Sequence, residues 1–276
     1  MKNPIKTLLI NTIFLAFIGN TANAQFFDKL RKSVEEKVEE TIVTKTSDKA
    51  VQKTDKTLDK IFDANLGSGK KGKKVEPTNL KSTYAFEYQY RLSVTNKQLK
   101  SSMDMDYFLK PGATYMGVKM NMGPEMFMVI DGETNTNYMF MSVGTTKMVT
   151  ATAIDGDDLT PEGEYDYEGY TFTDLPNKTF LGYDCVGKRM ENKEYVFTMY
   201  FTNEAPITFN DVFKTDTDRI PAAIKNQFSG NEKGTMMFMD MKDKLNKGKK
   251  DKSGTMECTL LEPADFNFDA SEYKSM

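Results

Sequence analysis

The stretch that decides the fold is Tyr84-Ala85-Phe86-Glu87-Tyr88-Gln89-Tyr90-Arg91-Leu92. Apolar and aromatic residues fall at every second position, the period of a strand with one buried face. From Ser82 onward that period persists. Asn96-Lys97 turns the chain, and Met103, Met105, Tyr107 and Leu109 then alternate with Asp104 and Asp106. Pro111-Gly112 leads into Tyr115 to Met120, Gly123-Pro124 into Met126 to Ile130, and Gly132 to Asn135 into Asn137 to Val143. Short strands joined by tight turns predict an antiparallel meander. The alternation implies one apolar face and one wet face, with Glu87, Gln89, Asp104 and Asp106 toward water. Such a face must be covered by helices or curl round a ligand space.

Beyond the meander, Asp155 to Glu168 holds seven acidic residues and no basic one, which predicts a solvated loop rather than a calcium site. Lys178 to Met190 and Tyr195 to Phe201 read as strands with a turn at Glu191 to Glu194. Pro221 to Phe228 reads as a short helix. Gly234 to Met241 and Gly254 to Leu261 read as two last strands around the basic loop Lys242 to Lys252. The tail brings Phe266, Phe268 and Tyr273 as covering residues.

Upstream of the strands the chain changes character. Lys2 and Lys6, the apolar run Leu8 to Ile18, and Ala22-Asn23-Ala24 make residues 1–24 an export signal. An apolar run of that length falls short of the roughly 20 residues that span a bilayer. No Cys follows it, so the exported chain is expected to begin at Gln25 and not to be a lipoprotein, with the periplasm as its place and secretion or outer-membrane association as alternatives. Residues 25–66 read as a charged helical arm with two apolar stripes, Phe27 to Ile42 and Ala50 to Phe62, on differing faces. Residues 67–78, opening Gly67-Ser68-Gly69-Lys70-Lys71, read as a flexible basic linker able to meet an anionic envelope surface. The main domain is then 79–276. Residues 25–78 carry 13 Lys+Arg against 10 Asp+Glu, and residues 79–276 carry 22 against 30, so the domain is net acidic and a nucleic-acid partner is not expected.

Composition removes several chemistries. The 276 residues contain no His and no Trp. Imidazole acid/base work, imidazole metal sites and Ser-His or Cys-His nucleophiles are therefore absent. No dinucleotide fingerprint, phosphate loop or nucleophile elbow is present, and Ser271-x-x-Lys274 lacks the partner motifs of a hydrolase tetrad. The expectation is a non-enzymatic protein without cofactor. Cys185 and Cys258, in separate strands of an exported chain, are expected to form a disulfide. Eighteen of the 19 Met follow Met1, many in same-face pairs such as Met103/Met105, Met126/Met128, Met139/Met141 and Met237/Met239/Met241. These suit a core or cavity lining, where Met adapts to irregular space. Soft-metal ligation of Cu(I) is the alternative use of such thioethers.

Taken in order, the signal, the Lys/Asp-rich arm, the strand from Tyr84, the Met-rich meander, Phe180-Leu181-Gly182-Tyr183-Asp184-Cys185, the strand from Gly234 and the closing Phe266-x-Phe268 resemble a family of secreted Gram-negative proteins catalogued as a domain of unknown function. That family is similar in fold to the LolA/LolB lipoprotein carriers over about residues 80–276. The resemblance implies an α+β domain, a strongly curved antiparallel half-barrel with covering helices over an apolar cavity, preceded by the helical arm. It also implies a lipid or acyl-chain ligand. Residues of the expected apolar face are Tyr84, Phe86, Tyr88, Tyr90, Met103, Met105 and Tyr107. A structural or interaction protein of the envelope without ligand remains the other reading of the same pattern, beside Cu(I) binding.

Overall fold

The computed structural model describes residues 73–96, 102–120, 126–143, 146–154, 169–209, 212, 234–248 and 251–275. The expected signal, the helical arm, the acidic loop and the helix at 221–228 lie outside the described residues. Thirteen strands belong to one sheet. They are β1 (Lys74–Val75), β2 (Thr83–Asn96), β3 (Met103–Leu109), β4 (Tyr115–Met120), β5 (Met126–Asp131), β6 (Thr136–Val143) and β7 (Thr146–Ala153) in the first half. The second half holds β8 (Thr171–Phe180), β9 (Tyr183–Glu191), β10 (Tyr195–Thr202), β11 (Thr235–Asp243), β12 (Gly254–Asp269) and β13 (Lys274–Ser275).

The strand order is β1-β7-β6-β5-β4-β3-β2-β12-β11-β10-β9-β8, with β13 added parallel to β7. Two antiparallel meanders, β2 to β7 and β8 to β12, are thus joined by the pairing of β2 with β12, the two longest strands. This corrects part of the expectation. The antiparallel sheet is as expected, but it runs open from one edge to the other instead of curling strongly into a half-barrel. No helical element is described among these residues; the far end of the sheet covers one face, and Ile207, Phe209 and Val212 from the segment after β10 pack against the other.

The cover is the far end of the β2–β12 ribbon. The last β3 residue in register with β2 is Leu109, opposite Tyr88, so Thr83 to Glu87 pair with β12 alone. Two register shifts interrupt β12, between Cys258 and Leu260 and between Pro263 and Phe266. Pro263, opposite Tyr88 in the ribbon, sits past the last contact of β12 with β11 and beside the second register shift, a place where sheets tolerate proline. Irregularities of this kind bend and twist a ribbon. Phe86 and Phe266, opposite one another in the ribbon, meet the rings of Phe108 and Phe127 from the meander at centroid distances of 4.6–6.0 Å. Phe268 stacks on Phe127 at 4.4 Å and meets Phe140 at 4.7 Å.

Part of the meander is therefore buried on both faces, which corrects the expected wet face in part: Glu87 is exposed and Gln89 and Asp104 are half-buried, but Asp106 is buried. Phe108 alternates with Tyr107 and Leu109, and it joins Phe127, Val129, Tyr138, Phe140 and Val149 in a second cluster under the ribbon. The opposite face, with Leu92, Val94, Met105, Leu109, Met116 and Val118, continues into the second half of the sheet as the larger cluster. Asp106 is one consequence. It lies on the covered face, only 4% exposed, and is held there by Arg91.

Four further differences have local causes. Thr146–Ala153 is a strand that the turn signals after Val143 conceal, and it buries only Val149 and Ala151. Lys178 to Met190 is two strands, because Leu181 and Gly182 both take positive φ (50° and 86°) and make a tight hairpin turn. The segment expected to link arm and domain includes β1, whose Lys74 and Val75 pair with Thr152 and Ala151. With β13 on Met148 and Val149, it covers the outer edge of β7, which would otherwise expose its ladder groups. Finally, β12 runs on through Asp269, since the ribbon keeps the tail in register with Thr83 to Phe86.

Candidate functional site

The residues expected to form one apolar face are divided between the two clusters. Tyr84 and Phe86 are fully buried under the ribbon tip, in the aromatic cluster. Tyr84 packs edge-on to Tyr115 at 5.1 Å, and the Tyr115 hydroxyl donates to the carbonyl of Ala85 at 3.2 Å. Tyr90 and Met105 are buried in the larger cluster, with Tyr88, Met103 and Tyr107 half-buried against it. Register sets two of these directly opposite one another, Tyr90 and Tyr107, while Met103 faces Val94 and Met105 faces Leu92.

The larger cluster is soft and sulfur-rich. Met199, Met239 and Met256 stand in one cross-strand row over β10, β11 and β12, and all three are buried. Met237 and Met241 flank Met239 on the same strand face, as the spacing predicts, and Met190 and Met116 complete the buried thioethers of this cluster. Aromatic groups frame it. Phe209 sets its ring edge against Tyr90 at 5.4 Å and Tyr107 at 5.5 Å. The Tyr90 hydroxyl donates to the Met236 carbonyl at 2.7 Å, tying β2 to β11 across the cluster.

Burial keeps its ionisable groups neutral. Desolvation pushes the Tyr90 phenol well above its ordinary value, with Cys258 and Tyr107 adding to the effect. It pushes Tyr107 up to about 12. Cys185 and Cys258 belong to the same cluster, and both are free thiols, so the expected disulfide is not formed in this structure. Each donates to a carbonyl two residues away, Cys185 to Tyr183 and Cys258 to Leu260, both at 3.4 Å. Burial raises Cys258 to about 12, and the neighbouring Cys185 contributes, so neither sulfur is a ready thiolate. Among the described residues no group of three or more His, Cys, Asp and Glu is placed to hold a metal ion. The arrangement is an apolar, thioether-rich cluster. Met199, Met256, Met236 and Phe209 are parts of it that the first strand's alternation did not reveal, although Tyr195 to Thr202 carries the same period.

Residues 86–206 match the family model described as a domain of unknown function, DUF4412, which fits the resemblance read from the sequence. No curated protein matches the chain. Among solved structures, the chain is similar to PNGF-II, with 10% identity over 69% of this chain and 30% of that one, at a TM-score of 0.35. It is similar to the MucA/MucB complex of Pseudomonas aeruginosa, with 11% identity over 64% of this chain and 51% of that one, at 0.36. A LolA superfamily protein from Nitrosomonas europaea is also similar, with 8% identity over 66% of this chain and 87% of that one, at 0.24. The chain thus spans a third to a half of the length of PNGF-II and MucB. At such scores the activities and partners of those proteins remain their own.

Proposed function

We propose that the protein is an exported, non-enzymatic component of the cell envelope that holds a lipid-like apolar ligand against its larger, Met- and Tyr-lined cluster. Export rests on the signal pattern of Met1 to Ala24. The supporting observation is the graded burial of that cluster. Its centre is sealed by Met199, Met239 and Met256; Met105 keeps 8% exposure at the border, and Tyr88, Met103, Tyr107, Met128 and Ile130 remain half-buried against it. An apolar surface that is only partly covered, lined by thioethers that re-pack at low cost, suits an acyl chain better than a polar substrate.

Met105 separates this reading from a purely structural one. If the half-buried rim is a ligand seat, Met105→Ala costs well under the roughly 2–5 kcal/mol of a packed core deletion and weakens uptake of an apolar dye such as N-phenylnaphthylamine. Full destabilisation, with no dye bound by the wild type, defeats the ligand reading. The second reading, an envelope protein whose core is simply filled, draws on the ring-on-ring packing of Phe86, Phe108, Phe127 and Phe266, against which Tyr115, Phe268 and Tyr273 also pack half-buried. Native mass spectrometry of protein purified from its own envelope then reads lipid, copper or neither directly.

A further inference from the structure

We propose that the loop between β11 and β12 is a contact for an anionic phospholipid surface, with Leu245 entering the boundary of headgroups and acyl chains. Leu245 is 64% exposed and, with Leu181, is one of two large apolar side chains exposed among the described residues. Its setting is basic: residues 242–252 hold six Lys and two Asp. Both acids are engaged in building the loop. The Asp243 carboxylate accepts from the amides of Leu245 (3.0 Å), Asn246 (2.9 Å) and Lys252 (3.2 Å), and from the Asn246 side chain. Asp251 is buried and accepts from the Ser253 amide at 2.8 Å.

That internal use leaves the outward charge positive. Lys247 and Lys252 are exposed and carry no ion pair among the described residues, and Lys242 only reaches Asp240 at 3.7 Å. Lys244 is tied down by Glu191 at 3.0 Å and the Asn192 carbonyl at 2.7 Å, which fixes the loop to the neighbouring β9–β10 turn. Because Asp243 grips its amide, the backbone at Leu245 is fixed by those bonds in the conformation that leaves its side chain exposed. A held apolar side chain ringed by lysines matches an interface of buried hydrocarbon under anionic headgroups. An acidic protein would satisfy the lysines but gives the leucine no reason to be presented. The inference is independent of the apolar-ligand reading, and loop variants are expected to leave dye uptake unchanged.

The chain has no Trp, so Leu245→Trp makes a single reporter at an exposed position. With the processed protein, phosphatidylglycerol–phosphatidylcholine vesicles are expected to shift its emission to the blue, and brominated acyl chains to quench it. High salt reverses both, and phosphatidylcholine alone does neither. Lys247→Glu with Lys252→Glu should lower vesicle partitioning by about tenfold or more, each lysine near an anionic surface being worth about fivefold. Leu245→Ser, scored by vesicle sedimentation, should also weaken binding while leaving the melting curve in place. Unshifted indole emission from the Leu245→Trp variant, on protein that sediments with vesicles, would place the contact elsewhere, for instance on Gly67 to Lys74, and overturn the proposal. So would a shift produced by polyglutamate but not by vesicles.

Discussion

Arg91 on β2 and Asp106 on β3 stand directly opposite one another and are joined by two hydrogen bonds, Nε to Oδ1 at 2.6 Å and Nη2 to Oδ2 at 3.1 Å. The bond and the nearby carboxylates hold the guanidinium above its usual value, against the opposing effect of burial. The fork geometry makes the pair stronger than a surface contact, and the carboxylate side is nearly enclosed. Asp106→Ala is expected to cost about 1–3 kcal/mol in urea unfolding, and Asp106→Asn less, since an amide oxygen still accepts one bond. A cost near zero for both would show a solvated pair.

The thiols offer a second test. With Cys258 raised to about 12 and Cys185 also raised by burial, the folded protein disfavours the thiolate at both positions. Reactivity of a group shifted upward grows only as pH climbs toward its new value. Ellman's reagent should therefore find no reactive thiol in the native state, and two per chain after unfolding without reductant. No thiol after unfolding would instead reveal a bridge made in the envelope.

Much of this architecture is legible in the sequence, and the failures have physical causes. The boundaries of β3 and β4 follow from clean alternation bounded by Pro-Gly and similar turns. The bilateral burial of the meander does not. Phe108 and Phe127 sit at positions that a one-sided sheet would give to water, and what buries them arrives from Phe266 and Phe268, more than 130 residues later in the chain. The division of Tyr84 and Phe86 from Tyr90 has the same origin, because strand parity is local and a ribbon that bends changes which cluster a face meets. Lone contacts such as Tyr90 with the Met236 carbonyl leave no local signal at all.

Close approach in the aromatic cluster is tested at glycine. A Cβ on Gly117 would collide with the Phe127 ring and lie 3.0 Å from Cζ of Phe86. Gly117→Ala should cost about 1–3 kcal/mol through overpacking. On Gly132 the obstacle is the backbone carbonyl of Val212, which cannot swing aside as a ring can, so Gly132→Ala should cost more. A small effect of Gly117→Ala in thermal unfolding would mean that the ribbon tip lifts easily from the meander, and a small effect of Gly132→Ala that the Val212 backbone gives way.

Leu181 carries the last prediction. It occupies a φ of 50° in the two-residue turn between β8 and β9, with Gly182 at 86°, and half of its surface is exposed. A left-handed conformation costs a branched L side chain roughly 1–2 kcal/mol relative to Gly, and Asn tolerates it better than Leu. The strands on either side do not need the leucine. Phe180 stacks on Phe238 at 5.6 Å, the Lys178 ammonium lies 4.9 Å from the Tyr200 ring, and Thr179 Oγ1 donates to Asp184 at 3.1 Å. Leu181→Asn, creating the Asn-Gly pair favoured in such turns, should raise stability by about 0.5–1 kcal/mol, seen as a higher urea midpoint at unchanged m. Leu181→Gly should gain less, since the added freedom of the unfolded chain offsets the relief. A loss of stability with Asn would show that the leucine's buried half contributes more to holding the hairpin on the sheet than its backbone conformation costs.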